Sequence, residues 1–334
     1  MEQGQIYKIH SDFYYIDTGL ETFECKAREV LKKRKEKILV GDIVNFSSGY
    51  IEEILPRKNY IARPSVSNVD RIIIVSALKE PELDLHQLNR YIALSKYYKI
   101  PAVLCFNKDD LEISKSDIKK ILNIYEPLGF KIVFTSATEH HGIKAFRKLL
   151  ENKTSVLCGN SGVGKSSLIN AINPELNLRT KAVSEKLQRG THTTRHCEII
   201  KLDKTSRIVD TPGFSNVKFD FILPADVDLL FDEMLPYRDF CKYADCLHIN
   251  EDGCVVLDNI DKIDSSRYES YLAFIKEAKE YKDRIKYEGK KTEQTKKLVH
   301  NREMTKISEK KRQSSRRRTK QDIYKDIEYN DENE

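Results

Sequence analysis

Along the first sixty residues, apolar and polar positions alternate in five short runs, at 5–10, 13–18, 22–26, 42–47 and 50–55. A period of two predicts half-buried strands, and five of them packed so closely predict a meander or small barrel. Further along, the alternation gives way to continuous apolar runs. Residues 102–106 read as a buried parallel strand, and 131–134, 154–158 and 206–209 also read as strands. Residues 166–172 read as the start of a helix. Tyr268, Tyr271, Leu272, Ile275 and Ala278 recur at helical spacing and predict the packing face of a later helix, with no chemistry assigned. No internal repeat is evident.

Chemistry-bearing residues gather where these runs end. Gly159-Asn160-Ser161-Gly162-Val163-Gly164-Lys165-Ser166, followed by Ser167, matches G-x-x-x-x-G-K-S between a strand and a helix. Glycines there let backbone N–H groups point at phosphate oxygens, Lys165 supplies a point charge, and the Ser166 hydroxyl can ligate magnesium. The helix start adds its positive end. Asn107-Lys108-Asp109-Asp110 closes the run at 102–106, and Thr135-Ser136-Ala137 closes the next one. An ionised Asp110 can accept from guanine N1–H and from its exocyclic amine, a donor pair that adenine lacks, and the Ala137 N–H could reach the guanine carbonyl. Alone, N-K-x-D also suits a surface turn before a helix; the second motif makes it specific.

Asp210-Thr211-Pro212-Gly213 follows the strand at 206–209. Asp210 can hold magnesium through water, and Gly213 lets its N–H approach a γ-phosphate. Between this motif and the phosphate loop lies the polar stretch 188–195, where Thr193 or Thr194 could sense magnesium; an ordinary solvated loop is the plainer alternative. Phe214 occupies the position where signalling GTPases carry a water-holding glutamine, so His192 is the nearest candidate to replace it, unless it is simply a surface histidine. The guanine-type motif precedes the phosphate loop, the reverse of the usual GTPase order.

Cys241, Cys246, His248 and Cys254 fall within fourteen positions, a set that could close a tetrahedral Cys₃His structural zinc site with no open position for chemistry. The other four of the 7 cysteines, Cys25, Cys105, Cys158 and Cys197, are scattered. No signal peptide or long apolar run is visible, so a reduced cytosolic setting is expected.

Charge changes the picture only locally. Of the net +6 on 334 residues, positions 290–320 contribute +10 from thirteen Lys and Arg against three Glu. Positions 321–334 contribute −5 from one Lys against six acids, which leaves +1 for everything before 290. The tail is expected to be disordered and bind RNA phosphates, or to continue as an exposed helix. A second basic stretch, Lys26, Arg28, Lys32, Lys33, Arg34, Lys35 and Lys37, lies beside Tyr and Phe strand positions and reads as a loop that could track RNA.

The order NKDD, TSA, GNSGVGKSS, GTHTTR, DTPGF and then a Cys/His cluster resembles the circularly permuted GTPases of the RsgA/YjeQ type, from the N-terminus to about 290. Segments 40–44 and 63–70 also fit. The resemblance implies a multidomain α/β protein: an N-terminal OB-type β-barrel at 1–60, a central permuted P-loop GTPase with a doubly wound sheet at 61–220, and an α-helical zinc-binding domain at 221–289. The charged tail, 290–334, falls outside it. It implies hydrolysis of GTP to GDP and phosphate, stimulated by the ribosome, in late maturation of the small ribosomal subunit. The expected partners are that subunit and its rRNA, with GTP and GDP; the expected cofactors are one structural Zn²⁺ and Mg²⁺ with GTP. A cytoplasmic monomer without membrane contact is expected. In the G-x-H-T-T motif the resemblance implies His192 as the water-orienting residue, beside Lys165 and Gly213 in catalysis. Two other classes remain open: a GTP-gated RNA-binding module with vestigial hydrolysis, and an adenine nucleotide hydrolase.

Overall fold

A computed structural model describes residues 1–33, 37–111, 113–178, 197–210, 219–288, 296–299 and 302–305. The chain forms two compact units, Met1–Val217 and Lys218–Glu334.

The first unit opens with β1 (Glu2–His10), β2 (Phe13–Asp17), β3 (Thr22–Ala27), β4 (Ile43–Ser47) and β5 (Tyr50–Ile54). β1 pairs with both β2 and β4, while β3 pairs with β5 and β5 with β4, so five strands close into an OB-type barrel. Alternation fills its interior: Ile6, Ile16, Cys25, Val44, Phe46 and Ile51 form the barrel core, because successive side chains on a strand face opposite ways. The basic stretch read as a loop has its first residue, Lys26, on β3 and then makes a helical turn, α1 (Glu29–Lys33). Leu31 explains it, since that side chain joins the barrel core. Several of the cations are engaged within the unit: Arg28 pairs with Glu52 at 2.7 Å, Lys26 lies 4.9 Å above the Phe13 ring, and Lys37 donates to the Ser65 hydroxyl at 2.9 Å. Arg34 and Lys35 lie outside the described residues.

A short hairpin, β6 (Tyr60–Ile61) with β7 (Val66–Ser67), leads out of the barrel. Buried Asp42 anchors this passage by accepting from Arg57 at 2.7 and 2.8 Å, from the Ser67 hydroxyl at 2.6 Å and from the Leu39 N–H at 2.8 Å.

The second half of the unit contains β8 (Arg71–Ala77), β9 (Ala102–Asn107), β10 (Lys131–Thr135), β11 (Thr154–Cys158), β12 (Glu198–Lys201) and β13 (Arg207–Asp210), in the order β10-β9-β8-β11-β13-β12. All neighbours run parallel except β12. The connecting helices include α2 (Leu85–Tyr97), α3 (Lys115–Tyr125), α4 (Ile143–Leu150) and α5 (Lys165–Ile172). Phe146 and Leu149 of α4 and Leu168 and Ile169 of α5 pack with Ile73, Val75, Val103, Leu157 and Ile208. Ile72 and Ile74 face the other way by alternation and are equally buried. This is a doubly wound sheet, and β8 at its centre is not among the strands that the sequence pattern predicts. The progression from β8 to β10 moves one way, and β11 then returns to the other side of β8. Ligands of open α/β sheets bind at the carboxyl ends beside such a reversal.

β1 also pairs with β12 at Lys8 and Glu198, so barrel and sheet are continuous. Across this joint Asp17 meets Lys201 at 2.7 Å and Arg207 at 3.7 Å. Burial, the largest single influence, would raise the Asp17 carboxyl, but hydrogen bonds from Lys201 and the Gly19 N–H together with the charges of Lys201 and Arg207 outweigh it and hold the carboxyl below its ordinary value.

The second unit contains a 3₁₀ segment (Pro224–Leu230), α6 (Leu235–Arg238), another 3₁₀ segment (Leu257–Lys262) and α7 (Ser265–Glu288). Of the predicted packing face, Tyr271, Ile275 and Ala278 are buried. Phe219, Phe231, Tyr271 and Phe274 form an aromatic core, with ring centroids 4.3 to 6.0 Å apart along the chain of contacts. The tail contributes an antiparallel hairpin, β14 (Lys296–Val299) with β15 (Arg302–Thr305), rather than the helix or disorder expected for those positions. Among the described residues, no helix is long and apolar enough to cross a membrane.

Candidate functional site

Parallel strands deliver four distant sequence segments to one edge. Asn107 ends β9, Thr135 ends β10, Gly159 follows β11, and Asp210 ends β13. The loop after β11 is shaped by two close approaches. Gly159 has φ +144°, and a Cβ there would run into the Val75 carbonyl of β8. Gly164 has φ +93° and caps α5, and a Cβ there would collide with the Asn107 amide. Both positions therefore exclude a side chain.

The reason for the second collision is a bond. Asn107 Nδ2 donates to the Val163 carbonyl at 2.9 Å, while its Oδ1 accepts from the Thr135 hydroxyl at 3.2 Å. One buried amide thus ties the guanine-type motif, the end of β10 and the phosphate loop together. Lys165 Nζ donates to the Gly159 and Asn160 carbonyls at 2.8 and 2.9 Å, which holds the ammonium across the mouth of the loop. The Tyr91 hydroxyl donates to Asn160 Oδ1 at 3.3 Å, bringing α2 against the same loop. Ser166 and Ser167 lie half-buried in the first turn of α5, Gly162 turns the loop at φ +86°, and Ser161 is exposed.

On the base side, Lys108 adopts φ +65° and donates to the Glu80 carbonyl. Asp109 accepts the Nδ1 hydrogen bond of His141, and its N–H donates to the Thr135 carbonyl at 3.1 Å. Asp110 is exposed at the strand end. Ser136 is buried; its hydroxyl accepts from the Glu139 N–H at 2.9 Å, and Ala137 follows half-buried. The structure thus brings Asn107 to Asp110, Ser136, Ala137 and residues 159–167 to one edge. The backbone of Asp210 reaches the same edge, but its side chain is outside the described residues. His192, Thr193, Thr194 and Gly213 also lie outside them, as do Arg189, Arg195 and Phe214.

The second unit holds the other predicted constellation. The donor atoms of Cys241, Cys246, His248 and Cys254 all lie within 4.8 Å of one another, and all four residues are buried. Cys241 Sγ is 3.9 Å from Cys254 Sγ, and His248 Nδ1 is 3.7 and 3.3 Å from those two sulfurs. A tetrahedral centre with ~2.3 Å metal–sulfur bonds has sulfur–sulfur edges of about 3.8 Å, so the donor set fits a metal of zinc type. Hydrogen bonds from Cys246 and Cys254 favour a thiolate at Cys241 and push its pKa below the ordinary thiol value.

Around this set lies a supporting shell that the sequence pattern does not reveal. His248 Nε2 bonds Asp228 Oδ2 at 3.2 Å, which leaves Nδ1 facing the sulfurs, and Arg238 grips the same carboxylate at 2.6 Å. Burial works against a charged imidazole, but the Asp228 bond and the neighbouring sulfurs outweigh it and raise His248 to about 11. Glu251 accepts from the backbone N–H groups of Leu247, Ile249 and Asn250 at 2.8 to 3.2 Å. Tyr268 and Tyr271, given no chemistry in the sequence, donate to the His248 and Leu247 carbonyls at 2.7 and 2.8 Å. Helical spacing could not indicate this, because the hydroxyls act across the fold.

A barrel, a doubly wound sheet with a P-loop, and an N-K-x-D motif encoded ahead of that loop define a circularly permuted GTPase. The RsgA GTPase family matches residues 54–220 and the RsgA N-terminal domain family matches 3–52; a family described as 50S ribosome-binding GTPase matches 154–301. The chain belongs to the RsgA GTPase family. A protein named small ribosomal subunit biogenesis GTPase RsgA, from Caldanaerobacter subterraneus subsp. tengcongensis, is 41% identical over 294 residues, spanning 86% of this chain and 99% of its own. Its counterpart in Alkaliphilus metalliredigens is 38% identical over 288 residues, spanning 84% and 98%. The crystal structure of YjeQ from Thermotoga maritima superposes with a TM-score of 0.71 at 33% identity, over 83% of this chain and 98% of its own. YloQ, described as a circularly permuted GTPase, gives 0.68 at 30%, over 84% and 96%.

Both geometries can be tested by substitution. Asn107→Ala leaves the Val163 carbonyl without its partner, and GTP and GDP affinities are expected to fall together by about tenfold, a cost of ~1–2 kcal/mol. Titration with a fluorescent guanine nucleotide checks this; unchanged affinity for both would remove the amide's joining role. Asp228→Asn is expected to lower metal affinity by about 10- to 100-fold in competition with a chromophoric chelator, as the loss of a carboxylate behind a ligating histidine does elsewhere.

Proposed function

We propose that this GTPase binds the small ribosomal subunit through its rRNA and assists late maturation in the cytoplasm, hydrolysing GTP to GDP and phosphate under stimulation by the subunit. The observation that carries the reading is that relatives named for small-subunit biogenesis align over almost their whole lengths. The 50S-named family covers only 154–301, the phosphate-loop side of the chain, so it speaks to nucleotide chemistry more than to the partner.

In this reading Asp110 reads guanine and the Ala137 N–H meets its carbonyl, with Asn107, Lys108, Asp109 and Ser136 shaping the base site. Gly159 to Gly164 wrap the phosphates with Ser167 beside them, Lys165 neutralises their charge, Ser166 ligates the metal, Thr193 or Thr194 senses it, and Asp210 holds it through water. Magnesium, when bound with GTP, would neutralise charge on the β- and γ-phosphates. Gly213 senses the γ-phosphate, and His192 orients the attacking water. Catalysis is then positioning and charge stabilisation, and the free enzyme is slow.

The division follows the chemistry: 1–60 as an RNA-facing barrel, 61–220 as the nucleotide domain, 221–289 as a domain held by one structural zinc, and 290–334 as a charged tail. Zinc suits the set of three thiolates and one imidazole because it favours tetrahedral sulfur and nitrogen ligation without redox chemistry. The protein works as a monomer.

Base choice gives the first test. Asp110→Asn is expected to weaken GTP binding by at least ~10-fold and to favour xanthosine triphosphate, whose carbonyl an amide can reach. Equal GTP affinity in parent and variant would reopen the adenine reading. The second test is turnover with GTP and with ATP, with and without small subunits, together with subunit affinity in a non-hydrolysable GTP analogue and in GDP. GTP-specific, subunit-stimulated turnover and tighter binding in the triphosphate form are expected. Binding without stimulation would favour the RNA-binding module with vestigial hydrolysis.

A further inference from the structure

We infer that the amino-terminal edge of the GTPase sheet carries a second nucleic-acid site, a lysine–tyrosine cleft that takes unpaired bases of RNA. Two adjoining clefts of about 510 and 410 Å³ meet there and share Lys99. The first is lined by Lys58, Asn59, Tyr60, Tyr97, Tyr98 and Lys99. The second continues past Lys96 and Pro101 to Phe130.

Its place in the fold separates it from the GTP site. Tyr97 ends α2, Pro101 leads into β9 and Phe130 leads into β10, so both clefts lie where parallel strands begin rather than where they end. The helix α2 spans the distance: Tyr91 touches the phosphate loop, while Tyr97, Tyr98 and Lys99 form the cleft wall.

The chemistry alternates rings and cations. Tyr60 is 55% exposed and Tyr97 38%. Tyr97 meets Tyr98 edge-on at 5.2 Å, and Lys96 lies 5.6 Å above the Phe130 ring. Lys99 is exposed, and Lys58 pairs with Asp70 at 2.8 Å. The floor is fixed, since Asn59 bonds both the carbonyl and the N–H of Val69 at 2.8 and 2.9 Å. Exposed rings beside a tracking cation are what single-stranded nucleic acid needs: bases stack and phosphates meet lysine. An acidic peptide would use the lysines but would leave the ring faces unexplained. Clefts of this volume hold a ligand the size of a nucleotide.

The inference rests on the proposed rRNA partner, and its test separates the two. Affinity is measured for a single-stranded oligoadenylate of about ten nucleotides and, separately, for small ribosomal subunits. Tyr60→Ala and Tyr97→Ala are each expected to weaken oligoadenylate binding by about tenfold, with Tyr97→Phe within about twofold of the parent because it keeps the stacking face. Lys99→Glu should weaken it too and reduce the salt slope by about one unit or more. GTP turnover without ribosomes should stay at the parental rate in all four full-length variants. Parental oligoadenylate affinity in the alanine variants, or no binding by the parent itself, overturns the cleft. Loss of subunit binding with oligoadenylate binding intact overturns it also, and would make the surface a protein contact. A parent that binds oligoadenylate through these residues but ignores small subunits leaves the cleft standing and overturns the proposed function instead.

Discussion

The nucleotide edge of this molecule depends on the side-chain amide of Asn107. A phosphate-binding loop has little side-chain packing of its own, so its backbone has to be fixed by neighbours. Here the donor half of one amide holds the Val163 carbonyl and the acceptor half holds Thr135. The segment 107–110 and the phosphate-binding loop therefore cannot move independently without breaking a buried hydrogen bond, which is costly where water cannot replace it. The same contact accounts for Gly164, because a β-carbon would occupy the place of that amide.

This constraint also makes the permuted order intelligible. A parallel sheet presents all its carboxyl ends on one side, whatever the order in which the chain visits the strands. β9 and β10 are made before β11 and β13, yet Asn107, Thr135, Gly159 and Asp210 meet at one edge. Permutation changes what enters and leaves the domain while keeping the site's geometry. The barrel is joined through β1 and β12, where Lys8 pairs with Glu198 opposite Asp210, so the amino-terminal element continues the sheet.

In the second unit the ordering principle is polar. Three thiols and an imidazole are brought within metal-ligating distance by short 3₁₀ and helical segments that would bury little on their own. Glu251 collects three backbone N–H groups, Asp228 turns His248, and two tyrosine hydroxyls close the remaining carbonyls. A metal bound at such a donor set would add its binding free energy to the folding of a small unit of this kind. The buried Arg267–Glu233 pair, at 2.7 Å under the Phe231 ring, supports the aromatic core in the same way.

Sequence alone determined the features that local chemistry dictates. Barrel strands were legible because a closed sheet buries every second residue, and the loop at 159–166 was legible because backbone cradling of phosphate demands glycine and lysine at fixed spacing. The spacing of Cys241, Cys246, His248 and Cys254 named a metal-type donor set for the same reason. Other features were decided by tertiary structure. β8, the central strand, ends in no motif, and an uninterrupted run such as Ile72 to Val75 has no periodicity to tell strand from buried helix. The turn of α1 within a basic stretch exists because Leu31 finds the barrel core. Asn107 bonding Val163 and Asp228 bonding His248 join residues 56 and 20 positions apart. A sequence states which groups can bond; only the folded chain decides which of them come within about 3 Å, because that distance is set by packing between segments that carry no local record of one another.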